Sequence, residues 1–263
     1  MTELTPLDRA HAAMENAPDD DSARLQFFER LAESELFLML AADAGGDQVT
    51  PELFDLGDAR YVLVFDREER LVSFAGQPTP YVALSGRVIA GMLVGQGIGL
   101  AVNPDVAPSA ILLPETAVDW LNTTLANAPD EIEANIVEVS PPVSLPEILV
   151  SALDTKMATA MGLAQAAYLV EVSYNTGTRG HLLGFIDAVP EAQDALAKAS
   201  AEALTFSGIE AGALDIGFFR TSDAMVERMA KVGLRFDLPQ LQKPVLQTIA
   251  MPGSDPDKPP ILK

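Results

Sequence analysis

Between Tyr81 and Leu125 the chain has little freedom in its local structure. Tyr81 to Leu84 has strand composition, Ser85 stands where a helix cap belongs, and Val88, Ile89, Met92 and Leu93 recur with helical spacing. Gly95 and Gly97 stop that helix, and Ile98 to Val102 reads as a central strand. Asn103-Pro104-Asp105 is a turn, Ile111-Leu112-Leu113 returns as a strand, and Pro114 opens a helix carrying Val118, Leu121 and Leu125. Such alternation predicts a mixed sheet with helices packed on it. The uncharged run from Val88 to Pro104 holds four glycines, Gln96 and Asn103. It falls short of the roughly 20 apolar residues of a membrane-spanning helix. Gly91 and Gly95, four apart, are expected to let a helix lie close on a sheet.

The flanking segments repeat the mixture. Thr5-Pro6 opens a first helix, with Leu7, His11 and Met14 on one face, and Asp19-Asp20-Asp21-Ser22 leads into a second. Leu36 to Leu40 and Tyr61 to Phe65 are apolar runs of strand length. Asp66-x-x-Glu69 and Ser144-x-x-Glu147 have capping-box spacing. Beyond Pro141-Pro142, Leu149, Leu153, Met157 and Met161 make a helical stripe. Ala166–Tyr174 and His181–Ala188 read as two strands around a hairpin-length loop. A helix after Pro190, a strand at Leu214–Phe219 and a helix after Ser222 follow. No internal repeat is convincing. The fold expected is α+β (mixed α/β), with two domains that each carry a mixed sheet and packed helices. The expected limits are 1–139, 140–245 and a flexible tail over 246–263.

Composition removes whole classes of chemistry. The 263 residues include no cysteine, which excludes disulfides, zinc–thiolate sites and thiol catalysis and suits a reducing cytoplasm. The N-terminus lacks the basic start and apolar run of a secretory signal. A net charge of −21, from 38 acidic and 17 basic side chains, repels phosphate backbones and anionic lipid. Neither a nucleic acid nor a membrane surface is therefore an expected partner.

Motifs add little to that picture. Gly95-x-Gly97-x-Gly99 precedes a strand, whereas a dinucleotide fingerprint follows one and opens a helix. His11 and His181 are the two histidines, 170 positions apart, so no histidine pair is spaced for a metal. His11 is read as a packing residue and His181 as a strand-end residue. No Gly-x-Ser-x-Gly elbow occurs. No catalytic, cofactor or metal residue is assigned.

Tyr61-Val62-Leu63-Val64-Phe65-Asp66, Tyr81-Val82-Ala83-Leu84-Ser85-Gly86 and Gly99-Leu100-Ala101-Val102-Asn103-Pro104 resemble the SseB N-terminal domain. The strand running into Asn103-Pro104, followed by Ile111-Leu112-Leu113-Pro114, is the most specific part. Ala167-Tyr168-Leu169-Val170, His181-Leu182-Leu183 and Leu214-Asp215-Ile216 are similar to the C-terminal domain of the same family. That family is named for enhanced serine sensitivity in bacteria. The resemblance implies a bacterial cytoplasmic protein without agreed catalytic residues.

The expectation is a non-enzymatic interaction or regulatory protein with a protein partner, homodimerisation being one form of it. The alternative is a small-molecule sensor, an amino acid being one candidate ligand, with a binding surface at Gly97, Gly99, Asn103 and Pro104.

Overall fold

The computed structural model describes residues 3–42, 49–126, 135–209 and 214–240. Thr5 starts the first helix as expected. Its hydroxyl accepts from the Asp8 amide, and the Asp8 carboxylate accepts from the Thr5 amide. Helix α1 (Pro6–Asn16) then leads to α2 (Asp21–Glu33), capped by the Asp20 side chain.

Strand β1 (Glu35–Met39) is followed by β2 (Leu53–Leu56), β3 (Ala59–Phe65), α3 (Glu68–Ala75), β4 (Tyr81–Ser85) and α4 (Gly86–Leu93). Strands β5 (Ile98–Val102) and β6 (Ile111–Leu113) and helix α5 (Glu115–Ala126) complete the first domain. The strand order is β4-β1-β3-β5-β6, and β2 pairs with β3 alongside β1. All pairs are antiparallel except β3 with β5.

Period-two alternation sends Leu36, Leu38, Val62, Val64, Leu100 and Val102 to the face covered by α2, α4 and α5. Leu63, Phe65 and Ala101 go to the opposite face, beneath Leu71 and Phe74 of α3.

The second domain holds β7 (Ile136–Ser140), α6 (Glu147–Thr159), β8 (Ala166–Tyr174), β9 (Arg179–Ile186), α7 (Gln193–Phe206), β10 (Leu214–Phe219), α8 (Ala224–Val232) and β11 (Leu234–Asp237). The order is β10-β9-β8-β11, with β7 also on β8. Because β7 pairs with β8, the second sheet takes in residues that precede Pro141-Pro142. A proline pair cannot donate to a ladder, and it marks the end of β7. The tail over 246–263 lies outside the described residues.

Sequence gave no convincing repeat, yet the two sheets share a centre. In each, a helix leads into a strand (β1, β8) that is antiparallel to the next (β3, β9). That second strand is parallel to a third (β5, β10), reached through a helix (α4, α7). The middle strands are each followed by an aspartate, Asp66 and Asp187.

Local signals resolve differently from their spacing in three places. Asp66 caps nothing: Arg67 is the N-cap of α3, and the Asp66 carboxylate is taken by Arg70 and Thr5. The box at Ser144 fails because Ser144 has φ of 59° and α6 begins after Pro146. The close helix approach falls on Gly86, where a Cβ would stand 2.0 Å from the Leu31 carbonyl oxygen, whereas at Gly91 there is room.

Candidate functional site

Parallel pairing brings the C-terminal ends of β3 and β5 side by side, the place where open α/β sheets put their ligands. Here that place is filled by the protein's own side chains. Asn103, with φ of 46°, is fully buried. Its amide donates to the Val64 carbonyl at 2.8 Å, its Oδ1 accepts from the Asp66 amide at 3.1 Å, and its Nδ2 donates to Ser109 Oγ at 2.9 Å. Asparagine suits this position because its short polar side chain tolerates the left-handed region.

Ser109 Oγ donates onward to Asp8 Oδ1 at 2.6 Å. Arg70 spans two carboxylates, donating to Asp8 at 2.5 and 3.0 Å and to Asp66 at 2.7 Å. Thr5 Oγ1 closes the ring by donating to Asp66 Oδ2 at 2.6 Å. Six side chains from α1 and its cap, α3, the end of β3 and the loop after β5 thus form one network. Among the described residues no buried side-chain nitrogen or oxygen lacks a partner.

The electrostatics follow from that geometry. Burial alone would push the Asp8 carboxyl up, but bonds from Arg70, Ser109 and Thr5 hold it well below the usual carboxylate range. Burial likewise opposes the Arg70 charge, and Asp8 and Asp66 more than restore it. A carboxylate fixed in its ionised form is poorly matched to general acid–base work near neutral pH. The arrangement ties four segments together.

Of the residues expected to form a binding surface, Asn103 faces inward and Pro104 continues its turn. Gly99 is buried, and a Cβ there would stand 2.4 Å from the Leu113 carbonyl and 2.7 Å from the Tyr61 ring. Gly97, with φ of 70°, sits in the turn before β5, near the Glu115 carboxylate. Beside the network lies an open depression of about 260 Å³ lined by Thr5, Pro6, Leu7, Ser34, Glu35, Asp66 and Arg67. It is smaller than the usual range for small-molecule sites.

His11 packs edge-on against Phe27, with ring centres 5.7 Å apart. His181 Nε2 donates to the Val143 carbonyl oxygen at 3.1 Å. Among the described residues no group of His, Asp and Glu is placed to hold a metal.

A second polar centre joins the domains. Lys156 on α6 is 7% exposed and lies 2.5 Å from Glu33, 3.3 Å from Glu29 and 3.4 Å from Glu202. Arg87 on α4 grips both oxygens of Glu202 on α7 at 3.0 Å each. Helices at equivalent places in the two sheets meet here, α2 with α6 and α4 with α7. Burial raises the Glu29 carboxyl, with Glu33 adding to the effect against the pull of Lys156. Burial also opposes ionisation of Glu202, but Arg87 and Lys156 bring it below its ordinary value.

Of these partners the sequence singled out Thr5 as a helix cap and Asn103 as a turn residue, and linked neither to the rest. The remaining signal was Arg70, one helical turn beyond Asp66.

Fold and site together define a two-domain α+β protein whose polar centres are internal ties. The family model of the SseB protein N-terminal domain matches residues 7–120, from α1 into α5. Residues 7–120 are thus an SseB N-terminal domain. No curated protein and no solved structure matches the chain. Among the described residues no helix is long and apolar enough to cross a membrane.

Proposed function

We propose that this chain is a non-enzymatic interaction or regulatory protein of a bacterial cytoplasm. We further propose that its second sheet is the C-terminal domain of the SseB family. The observation that carries the functional reading is β2, where Leu53, Phe54 and Leu56 are each more than two-fifths exposed within four residues. Surface hydrophobic residues scattered singly are ordinary, whereas three on one short edge strand mark a surface for association. Capture of partners from a bacterial lysate on the immobilised full chain tests the reading. A specific partner is the expected result. A chain that retains nothing and instead turns over a substrate contradicts it.

One observation favours the sensor as a second reading. The depression beside Asp66 presents Glu35 and Arg67 together, an arrangement complementary to a zwitterion. A thermal-shift screen against amino acids tests it. A ligand at a hundred times its dissociation constant raises stability by about 2.7 kcal/mol, and a flat screen removes this reading.

A further inference from the structure

Building on the interaction reading, we propose that the outer edge of β2 takes an extended, basic segment of a partner protein as an added strand. The chain leaves the sheet after β1, where Leu40 bridges Pro51, and rejoins it so that β2 continues the place of β1 against β3. Strand β4 covers the far side of β1 from Glu35 to Met39 and starts at Tyr81, opposite Met39. Among the described residues β2 therefore pairs on one side only, from Leu53 opposite Val62 to Leu56 opposite Ala59. A strand paired on one side offers the backbone groups that an incoming strand needs.

The side chains at this edge are suited to grip such a strand. Leu53 lies on the face of Val62, and Phe54 lies with Leu56 on the face of Tyr61. An added strand thus meets an apolar group above and below the sheet.

Charge decides which segment fits. Glu52, Asp55 and Asp58 surround the edge, and its one cation, Arg60, stands opposite Asp55 on β3. A second copy would set these carboxylates, and a whole chain of charge −21, against their own kind. A segment alternating lysine or arginine with β-branched residues pairs with both the carboxylates and the apolar side chains.

The test is hydrogen exchange on the full chain with a synthetic peptide alternating lysine and valine, and with its glutamate-for-lysine counterpart. Slower exchange of the amides at 53–56 with the lysine peptide alone, lessened by salt, is the expected result. Phe54→Lys with Leu56→Lys weakens that binding by at least about tenfold. Both side chains are nearly half exposed, so the fold tolerates the change, and Leu53→Ser is a milder second variant.

Protection elsewhere, or equal binding by the variants, overturns the proposal. So does a dimer in light scattering that the lysine variants abolish, since the occupant is then a second copy. In the lysate experiment, variants that keep the wild-type partner overturn the edge and leave the interaction reading standing. Retention of no partner by any form, with a substrate turned over instead, overturns both.

Discussion

Arg70 is the residue on which the first domain's network turns, because among the described residues it alone pairs with both buried carboxylates, Asp8 and Asp66. Arg70→Met leaves Asp8 and Asp66 uncompensated, and a loss of about 3–5 kcal/mol is expected in urea unfolding. Asp8 adds a pH dependence whose sign is fixed. Its native carboxyl lies below its unfolded value, so its contribution is complete above the unfolded value of about 4. That contribution drains away as pH falls toward the depressed native value. Urea melts across this acid window should show stability falling, and Asp8→Asn should flatten the fall. Asn103→Ala removes two side-chain bonds and leaves a Cβ at positive φ, for an expected loss of about 2–4 kcal/mol. Asn103 was conspicuous in the sequence as a turn residue, yet the sequence could not say which way its side chain faces. Its partners are Ser109, six residues away, and the Asp66 amide, thirty-seven away. No spacing rule links such positions.

Elements are joined by exchanges between helices, and α6 makes the most of them. Lys156→Met leaves Glu29, Glu33 and Glu202 facing one another and should cost about 3–5 kcal/mol. It should also loosen α6 from α2, read as faster proteolysis between the domains. Glu29 carries the opposite sign. Its native carboxyl is raised, so its ionisation at neutral pH withholds stability that returns as pH falls through the raised value. Glu29→Gln is therefore expected to be neutral or stabilising near pH 7, with the difference from wild type shrinking in mild acid. Thermal melts at both pH values check this. Helix starts were legible where the cap was local, as at Thr5 and Asp20. They misled at Asp66, where Arg70, one helical turn on, and Thr5, sixty-one residues back, take the carboxylate in place of the local amides. Gly86 was legible as a helix start, but not as the point where α4 meets the backbone of α2.

For the whole molecule, the two mixed sheets follow from apolar runs and glycine punctuation that can be read directly, as at Ile98–Val102 and Ala166–Tyr174. Their common centre was hidden because β2, α3 and β4 are inserted in the first sheet and absent from the equivalent place in the second. The seam between the domains was hidden as well, since it depends on helices more than a hundred residues apart. Phe206 shows how deep that seam runs. It ends α7 of the second domain, yet it is fully buried in the first domain's core with Phe27, Leu31 and Leu125. Phe206→Ala is expected to cost about 3–5 kcal/mol. The loss should appear in the fluorescence of Trp120, which sits 5.0 Å from Phe28 in the first domain. Phe206 also sets an order of events during synthesis. The segment matched by the family model has left the ribosome long before residue 206 is added, so its core waits, with one wall open, for a side chain not yet made. At about 5–20 residues per second, that interval lasts several seconds. For that time the nascent first domain is an incomplete body exposed to chaperones, and its final closure is timed by translation of the second.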